Sequence, residues 1–220
     1  MDYDSVILNL MECCANITQE SDDQDDGRLS SALNEKATLK QIEKYALDNK
    51  INIVLGKPRE WFDFQFGNVY FNLKLTAGGT DNIFNKTAVI YSITGQIPNN
   101  KNMGFNTFMA HVEPKHWKQN RDLTSEYHYL IYHKIQCCWL IVRLMDIIEY
   151  KTNPCNILQV NWNNEFSNNA IDTLPWNKKI IRLLKTIQTS IKQDIKSKML
   201  LANYEFDLIN KFASLRVADV

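Results

Sequence analysis

No apolar run in this 220-residue chain is long enough to cross a bilayer, so no membrane partner is expected. The opening Met1-Asp2-Tyr3-Asp4 lacks the basic-then-apolar pattern of a secretory signal, and a cytoplasmic location is expected. Glycine and proline are scarce, at 7 and 5 residues, which argues against a low-complexity or disordered chain and for an ordered core. The five cysteines form two adjacent pairs, Cys13-Cys14 and Cys137-Cys138, with Cys155 left over. An odd count with two adjacent pairs and no CxxC argues for reduced, buried thiols, and no zinc-ligand spacing is present. His111, His116, His128 and His133 show no HxH or HExxH spacing and read as structural residues. P-loop, GxGxxG and GxSxG motifs are also missing, which weighs against nucleotide-driven, dinucleotide-dependent and serine-hydrolase chemistry.

Net charge is missing too, at +0, but the balance is uneven along the chain. Residues 1–50 hold 5 Lys/Arg against 11 Asp/Glu, with the acids massed in Glu20-Ser21-Asp22-Asp23-Gln24-Asp25-Asp26, which reads as a solvated loop. Residues 51–220 hold the other 20 and 14, a mildly basic remainder that suits phosphate contacts without demanding them.

The length suits one domain over 1–220. Periodicity predicts N-terminal helices over 4–17 and 29–49. Strands are expected at 51–55, 61–66, 69–75, 87–94, 127–133, 137–145 and 157–162. A helix broken near Pro114 is expected over 105–118. A long amphipathic helix, or two, covers 177–213, with Lys178, Lys179, Arg182, Lys185, Lys192, Lys196 and Lys198 on a charged face that reads as solvated. Helices, then strands, then helices define an α/β (α+β) protein with a central mixed sheet flanked by helices.

The most informative segment is a predicted hairpin. Trp61-Phe62-Asp63-Phe64-Gln65-Phe66 and Val69-Tyr70-Phe71-Asn72-Leu73-Lys74-Leu75 both alternate, and Gly67-Asn68 between them suits a two-residue turn. Pairing Phe66 with Val69 sets Asp63 opposite Asn72, with Cβ atoms roughly 5 Å apart. Lys74 falls opposite Trp61 on the same face. A carboxylate, an amide and an ammonium therefore converge on one side of the hairpin, and Phe62, Phe64, Phe66, Phe71, Leu73 and Leu75 form the apolar other side.

This arrangement resembles the active-site hairpin of the PD-(D/E)XK nuclease superfamily. Asp63 matches the first acid and Lys74 the lysine, while Asn72 stands where the family has Asp or Glu, and Lys57-Pro58 precedes the acid only loosely. The segments Trp61-Phe62-Asp63-Phe64, Phe71-Asn72-Leu73-Lys74-Leu75-Thr76, Thr80-Asp81-Asn82 and Tyr91-Ser92-Ile93-Thr94-Gly95 are similar to type II restriction endonucleases that carry an Asn-X-Lys variant. Glu126-Tyr127-His128-Tyr129-Leu130 and Gln159-Val160-Asn161-Trp162 extend the likeness over roughly residues 30–165. The resemblance implies a restriction-endonuclease-like core and Mg²⁺-dependent hydrolysis of double-stranded DNA. Asp63 and Asn72 would ligate the metal, and Lys74 would act on the attacking water. Glu35, on the second helix, would be a fourth member of the site, with Glu43 a rival. Asp81, Asn82 and Lys86 would contact DNA. A homodimer and a cognate DNA methyltransferase are the implied partners. The same residues leave open a catalytically inactive DNA-binding relative, a DNA repair or junction nuclease, and a protein in which the hairpin is only a sheet edge.

Overall fold

A computed structural model describes residues 1–18, 27–167 and 172–217, with side chains described outside 27–32 and 200–217. The acidic segment Glu20–Asp26 lies outside the described residues. Two helices come first, α1 (Tyr3–Ala15) and α2 (Gly27–Asp48). Asp2 caps α1 by accepting the Ser5 N–H. The α1 face that packs inward carries Val6, Leu10, Cys13 and Cys14. On α2, Ile42 and Ala46 are buried, whereas the apolar Leu33 and Leu47 stay exposed.

The chain then runs through β1 (Ile53–Leu55), β2 (Phe64–Phe66) and β3 (Val69–Thr76). Later come β5 (Tyr127–His133) and β6 (Cys138–Arg143), which complete a five-stranded sheet in the order β1-β2-β3-β5-β6. β3 and β5 are parallel and the other neighbours antiparallel, so the sheet is mixed. A parallel pair needs a long crossover. Here β4 (Thr80–Asn82), α3 (Lys86–Thr94) and α4 (Phe105–His111) supply it. β4 also joins β7 (Tyr150–Asn153) and β8 (Ile157–Asn161) in a three-stranded antiparallel sheet, ordered β4-β8-β7. The chain closes with α5 (Trp162–Ser167) and α6 (Trp176–Val217), one unbroken helix of 42 residues.

The five-stranded sheet is buried on both faces. Phe64, Phe66, Phe71, Leu73, Leu75 and Leu130 pack under α1 and α2. Tyr127, Tyr129 and Ile131 face the other core with α3, Trp162 and the α6 residues Ile180, Leu183 and Ile187. The fold is therefore mixed α/β with a central mixed sheet flanked by helices. The hairpin register is as expected, with Phe66 opposite Val69 and Phe64 opposite Phe71. Its polar side is not open, however, because Trp61 and Tyr70 stack there at 4.7 Å between ring centroids.

The expected strand over 87–94 is wrong: these residues form α3. Thr87 through Ile93 are buried without a break, so periodicity could not separate helix from strand. The ends decide it. Asn85 caps the helix by accepting the Ala88 N–H at 3.1 Å, and Gly95 closes it in a left-handed conformation at φ 73°. Ser92 then pins α3 to the sheet, its hydroxyl accepting the Tyr127 N–H at 3.0 Å. Cys13 and Cys14 are buried as predicted, but Cys137 and Cys155 are exposed. The charged face of α6 is also not simply solvated. Lys179 is 3% exposed and bonds Asp146 at 2.5 Å, and Arg182 bonds Asp172 at 2.7 Å. Asp146 further pairs with Arg121 and Arg143, and Arg121 makes a two-pronged bridge to the fully buried Glu126. Burial raises the Asp146 carboxyl, but Arg121, Lys179 and Arg143 outweigh it and lower it to about 2.

His128 is structural. Its ring is fully buried between the Tyr3 hydroxyl and the Glu126 carbonyl, each 3.0 Å away. Burial pushes its pKa down to about 3, far below its ordinary value of about 6.5. The unfolded chain therefore takes up the proton first. The His128 contribution to stability should be full above pH ~6.5 and fall by at most roughly 1.4 kcal/mol per pH unit on acidification towards pH ~3. His128→Gln, which keeps hydrogen bonding but does not titrate, should flatten that slope in urea melts taken across the range.

Candidate active site

β2 is short, and that shortness builds the site. The antiparallel ladder from Phe66–Val69 runs to Phe64–Phe71 and ends on the Asp63 N–H, which donates to the Phe71 carbonyl at 2.9 Å. Residues 61–63 then swing away. Along β3, odd-numbered residues turn their N–H groups towards β2, so Leu73 and Leu75 have no strand partner there. Carboxylates fill the gap. Asp63 Oδ2 accepts the Leu73 N–H at 2.8 Å, and the Leu75 N–H stabilises the carboxylate of Glu35 on α2. The sequence-predicted acids Asp63 and Glu35 thus meet at one edge of β3, where each replaces a missing strand.

Asn72 points its amide nitrogen at Asp63 Oδ2, 2.7 Å away. That bond fixes the amide orientation, since only the NH₂ end can donate to a carboxylate. The Asn72 Oδ1 is consequently turned away, buried and without a hydrogen-bond partner. A buried amide oxygen left unpaired is costly, and such an atom in a site calls for a ligand. Lys74 is half-buried one step along the same face and has no hydrogen-bond partner among the described residues. Its ammonium acts electrostatically on both Glu35 and Asp63, holding their carboxyls down. Burial is the larger effect on each, so both pKa values are raised above the ordinary carboxylate range.

A cleft of about 130 Å³ opens beside these groups, lined by Asn72, Lys74, Asn82, Asn85, Tyr127 and Tyr129. The two tyrosines form its inner wall and are tied to backbone carbonyls, Tyr127 to Trp61 at 2.7 Å and Tyr129 to Ile83 at 2.9 Å. Sequence reading placed both on one strand face but not beside Asn72. That neighbourhood comes from the parallel pairing of Asn72 with Tyr129, which no local pattern encodes.

The predicted DNA-contacting residues are partly engaged elsewhere. The Asp81 carboxylate accepts the Trp162 indole N–H at 2.7 Å and ties β4 to the start of α5, and Asn82 Oδ1 accepts from Gln159 at 2.7 Å and ties β4 to β8. Asn82 still lines the cleft. Lys86 donates to the Met103 carbonyl at 2.5 Å and lies over the Phe105 ring. Glu43 shows no comparable engagement with the site.

Asp63, Glu35 and Asn72 carry the oxygen types that a hard dication takes, with the Asn72 amide turning its nitrogen rather than its oxygen to Asp63 in this arrangement. Among the described residues no group of three His, Cys, Asp or Glu converges, so the amide oxygen is needed to complete three protein donors. No family model, no curated protein and no solved structure matches this chain.

Asp63 carries a stability cost when ionised. Its folded pKa lies above its unfolded value, so stability falls as pH rises from about 3.9 through the raised value and stays low above it. In EDTA at neutral pH, Asp63→Asn should therefore melt above the parent protein by scanning calorimetry, and the gap should close at acid pH. A variant that melts lower at neutral pH would sink this assignment of a buried, metal-free charge.

Proposed function

We propose that the chain is a Mg²⁺-dependent type II restriction endonuclease with a restriction-endonuclease-like core, hydrolysing phosphodiester bonds in both strands of a specific DNA site. The observation that carries the reading is Asn72, whose amide nitrogen bonds the Asp63 carboxylate while its Oδ1 is left unpaired, with Lys74 next on the strand and Glu35 across the open edge. Mg²⁺ held by Asp63 and Asn72 would polarise the scissile phosphate and lower the pKa of a water.

The chain's own groups do the rest. Lys74, which makes no hydrogen bond with a described residue, orients the attacking water and offsets the negative charge that grows on the phosphate oxygens. Asp63 and Glu35 are held by backbone N–H groups, so their oxygens need little reorganisation when a substrate arrives. Tyr127 and Tyr129 line the cleft beside Asn72 and Lys74. Asn82 and Lys86 stand at the cleft and its margin, where a strand would pass, with Asp81 behind them. Symmetric cutting suits a homodimer, and a methyltransferase of the same specificity would protect host DNA.

Asn72 brings no charge, so the site is weaker for a dication than its acidic counterpart. A catalytically silent DNA-binding protein is the second reading that this particular residue favours. One experiment separates them. Purified protein is incubated with unmethylated phage DNA, with Mg²⁺ or EDTA, beside Lys74→Met. Discrete fragments that need Mg²⁺ and form about 10²–10³-fold more slowly in the variant support the nuclease. Intact DNA in every lane, with DNA still bound, supports the second reading.

The metal ligand is tested separately. Asn72→Asp sets a second carboxylate against Asp63, so the metal-free variant should melt below the parent. Mg²⁺ should then raise its melting temperature by more than it raises the parent's. An equal rise in both would remove Asn72 from the metal site. Because Asp63 and Glu35 titrate above the ordinary carboxylate range, the Mg²⁺ effect should fade on acidification earlier than it would with exposed acids.

A further inference from the structure

A second and larger cleft, about 330 Å³, adjoins the carboxylate site and shares Phe84 and Asn85 with it. Where the first cleft has one cation, this one has three. Arg59, Lys86 and Lys101 line it together with Trp61, Asn102 and Met103. Two of the cations are held in place: Lys86 by the Met103 carbonyl and Lys101 by Glu60 at 2.6 Å. Arg59 is exposed and has neither hydrogen bond nor ion pair with a described residue. Counting Glu60, the basin keeps a surplus of two positive charges beside a site whose own groups are acidic.

Arg59 also sits in an unfavourable backbone conformation. Lys57-Pro58-Arg59-Glu60 is a tight turn closed by the Glu60 N–H donating to the Lys57 carbonyl at 2.9 Å. Proline takes the second position and Arg59 the third, at φ 69°. That third position calls for glycine in a turn of this type. An arginine there is strained, unpaired and aimed into a basic cleft, and local strain of this kind collects at binding sites.

We propose that this basin binds a backbone phosphate of the DNA strand whose neighbouring phosphate lies at the Asn72–Lys74 cleft, with Arg59 and Lys101 as its principal contacts. The proposal rests on the reading of the carboxylate cleft as a DNA site. It explains why an arginine occupies a glycine position: the charge has to stand over the cleft mouth, and the turn carries it there. The contact is to phosphate, so it adds affinity and register without reading sequence.

The test measures duplex binding by fluorescence anisotropy with Ca²⁺ in place of Mg²⁺, over a series of salt concentrations, together with thermal melting. Arg59→Gly and Lys101→Gln should each weaken binding to all duplex sequences alike. Each should lower the slope of log affinity against log salt by about 1. Arg59→Gly should melt at or above the parent, because glycine tolerates the turn, which separates a lost contact from a damaged fold. A mononucleotide should not compete, since the basin is one station on a strand. Parental affinity and slope in both variants, or strong competition by a mononucleotide, would overturn the proposal. The nuclease reading stands or falls apart from it. Mg²⁺-dependent cutting with unaltered binding in Arg59→Gly would leave that reading and remove this one. A slope loss without any cutting would do the reverse, and no salt-dependent binding by the parent would remove both.

Discussion

A strand in the middle of a sheet has to have its backbone polar groups paired, and β3, with one face buried and the other half-buried, is that strand. Its apolar side lies under α1 and α2, its other side carries Tyr70, Asn72 and Lys74 next to Tyr127 and Tyr129 of β5, and one edge is laddered to β5 along its length. On the remaining edge β2 covers only the first half. The N–H groups of Leu73 and Leu75 would be stranded there without another acceptor. Asp63 and Glu35 supply it, and in doing so bring two carboxylates beside Asn72 and Lys74. The same shortfall of strand that threatens the sheet therefore assembles the acidic cluster. Its members are held by backbone atoms rather than by flexible side chains, which is what a pre-organised site requires.

Charge is managed in two opposite ways on the two sides of the molecule. Around Asp146 every buried charge is neutralised by contact: Arg121, Arg143 and Lys179 surround one carboxylate, Glu126 answers Arg121, and Asp172 answers Arg182. That network ties α6 to the end of β6 and leaves little charge to act outward. At the clefts the arrangement is the reverse. Lys74 and Arg59 make no hydrogen bond with a described residue, Asn72 Oδ1 is unpaired, and Asp63 and Glu35 keep raised pKa values. Asn72 Oδ1 is one of three buried side-chain atoms without a partner among the described residues, with Trp176 Nε1 and Arg182 Nε, and it alone stands beside a cleft that also holds Lys74. The net charge of the chain reveals neither arrangement.

Much of the site was legible because hairpins are local. Gly67-Asn68 and two alternating runs set the register, and from it the neighbourhood of Asp63 and Asn72 followed by counting. Glu35 required the family resemblance as well, since nothing in the helix itself distinguishes it from Glu43. What counting missed is instructive. The alternation of Trp61-Phe62-Asp63 reads as more strand, yet the chain leaves the sheet there, and the site depends on its leaving. Thr87–Ile93 is apolar throughout, and only Asn85 and Gly95 at its ends show a helix. Lys179 looks like any lysine on a long helix until Asp146 and Asp172 close over it.

By itself the sequence determined the local conformations: amphipathic helices at both ends, the hairpin and its turn, the alternation of Tyr127–His133, and the residue types able to take a dication or a phosphate. These follow from the side-chain period of each element and from turn chemistry, which reach only a few residues along the chain. Tertiary structure alone decided that β3 and β5 run parallel, that the Leu75 N–H meets Glu35, that Asp81 turns to Trp162, and that Arg59 stands with Lys101 at one cleft. Those are contacts between residues far apart in the chain. Their free energy comes from burying two sheet faces at once, and no short window of sequence contains both partners.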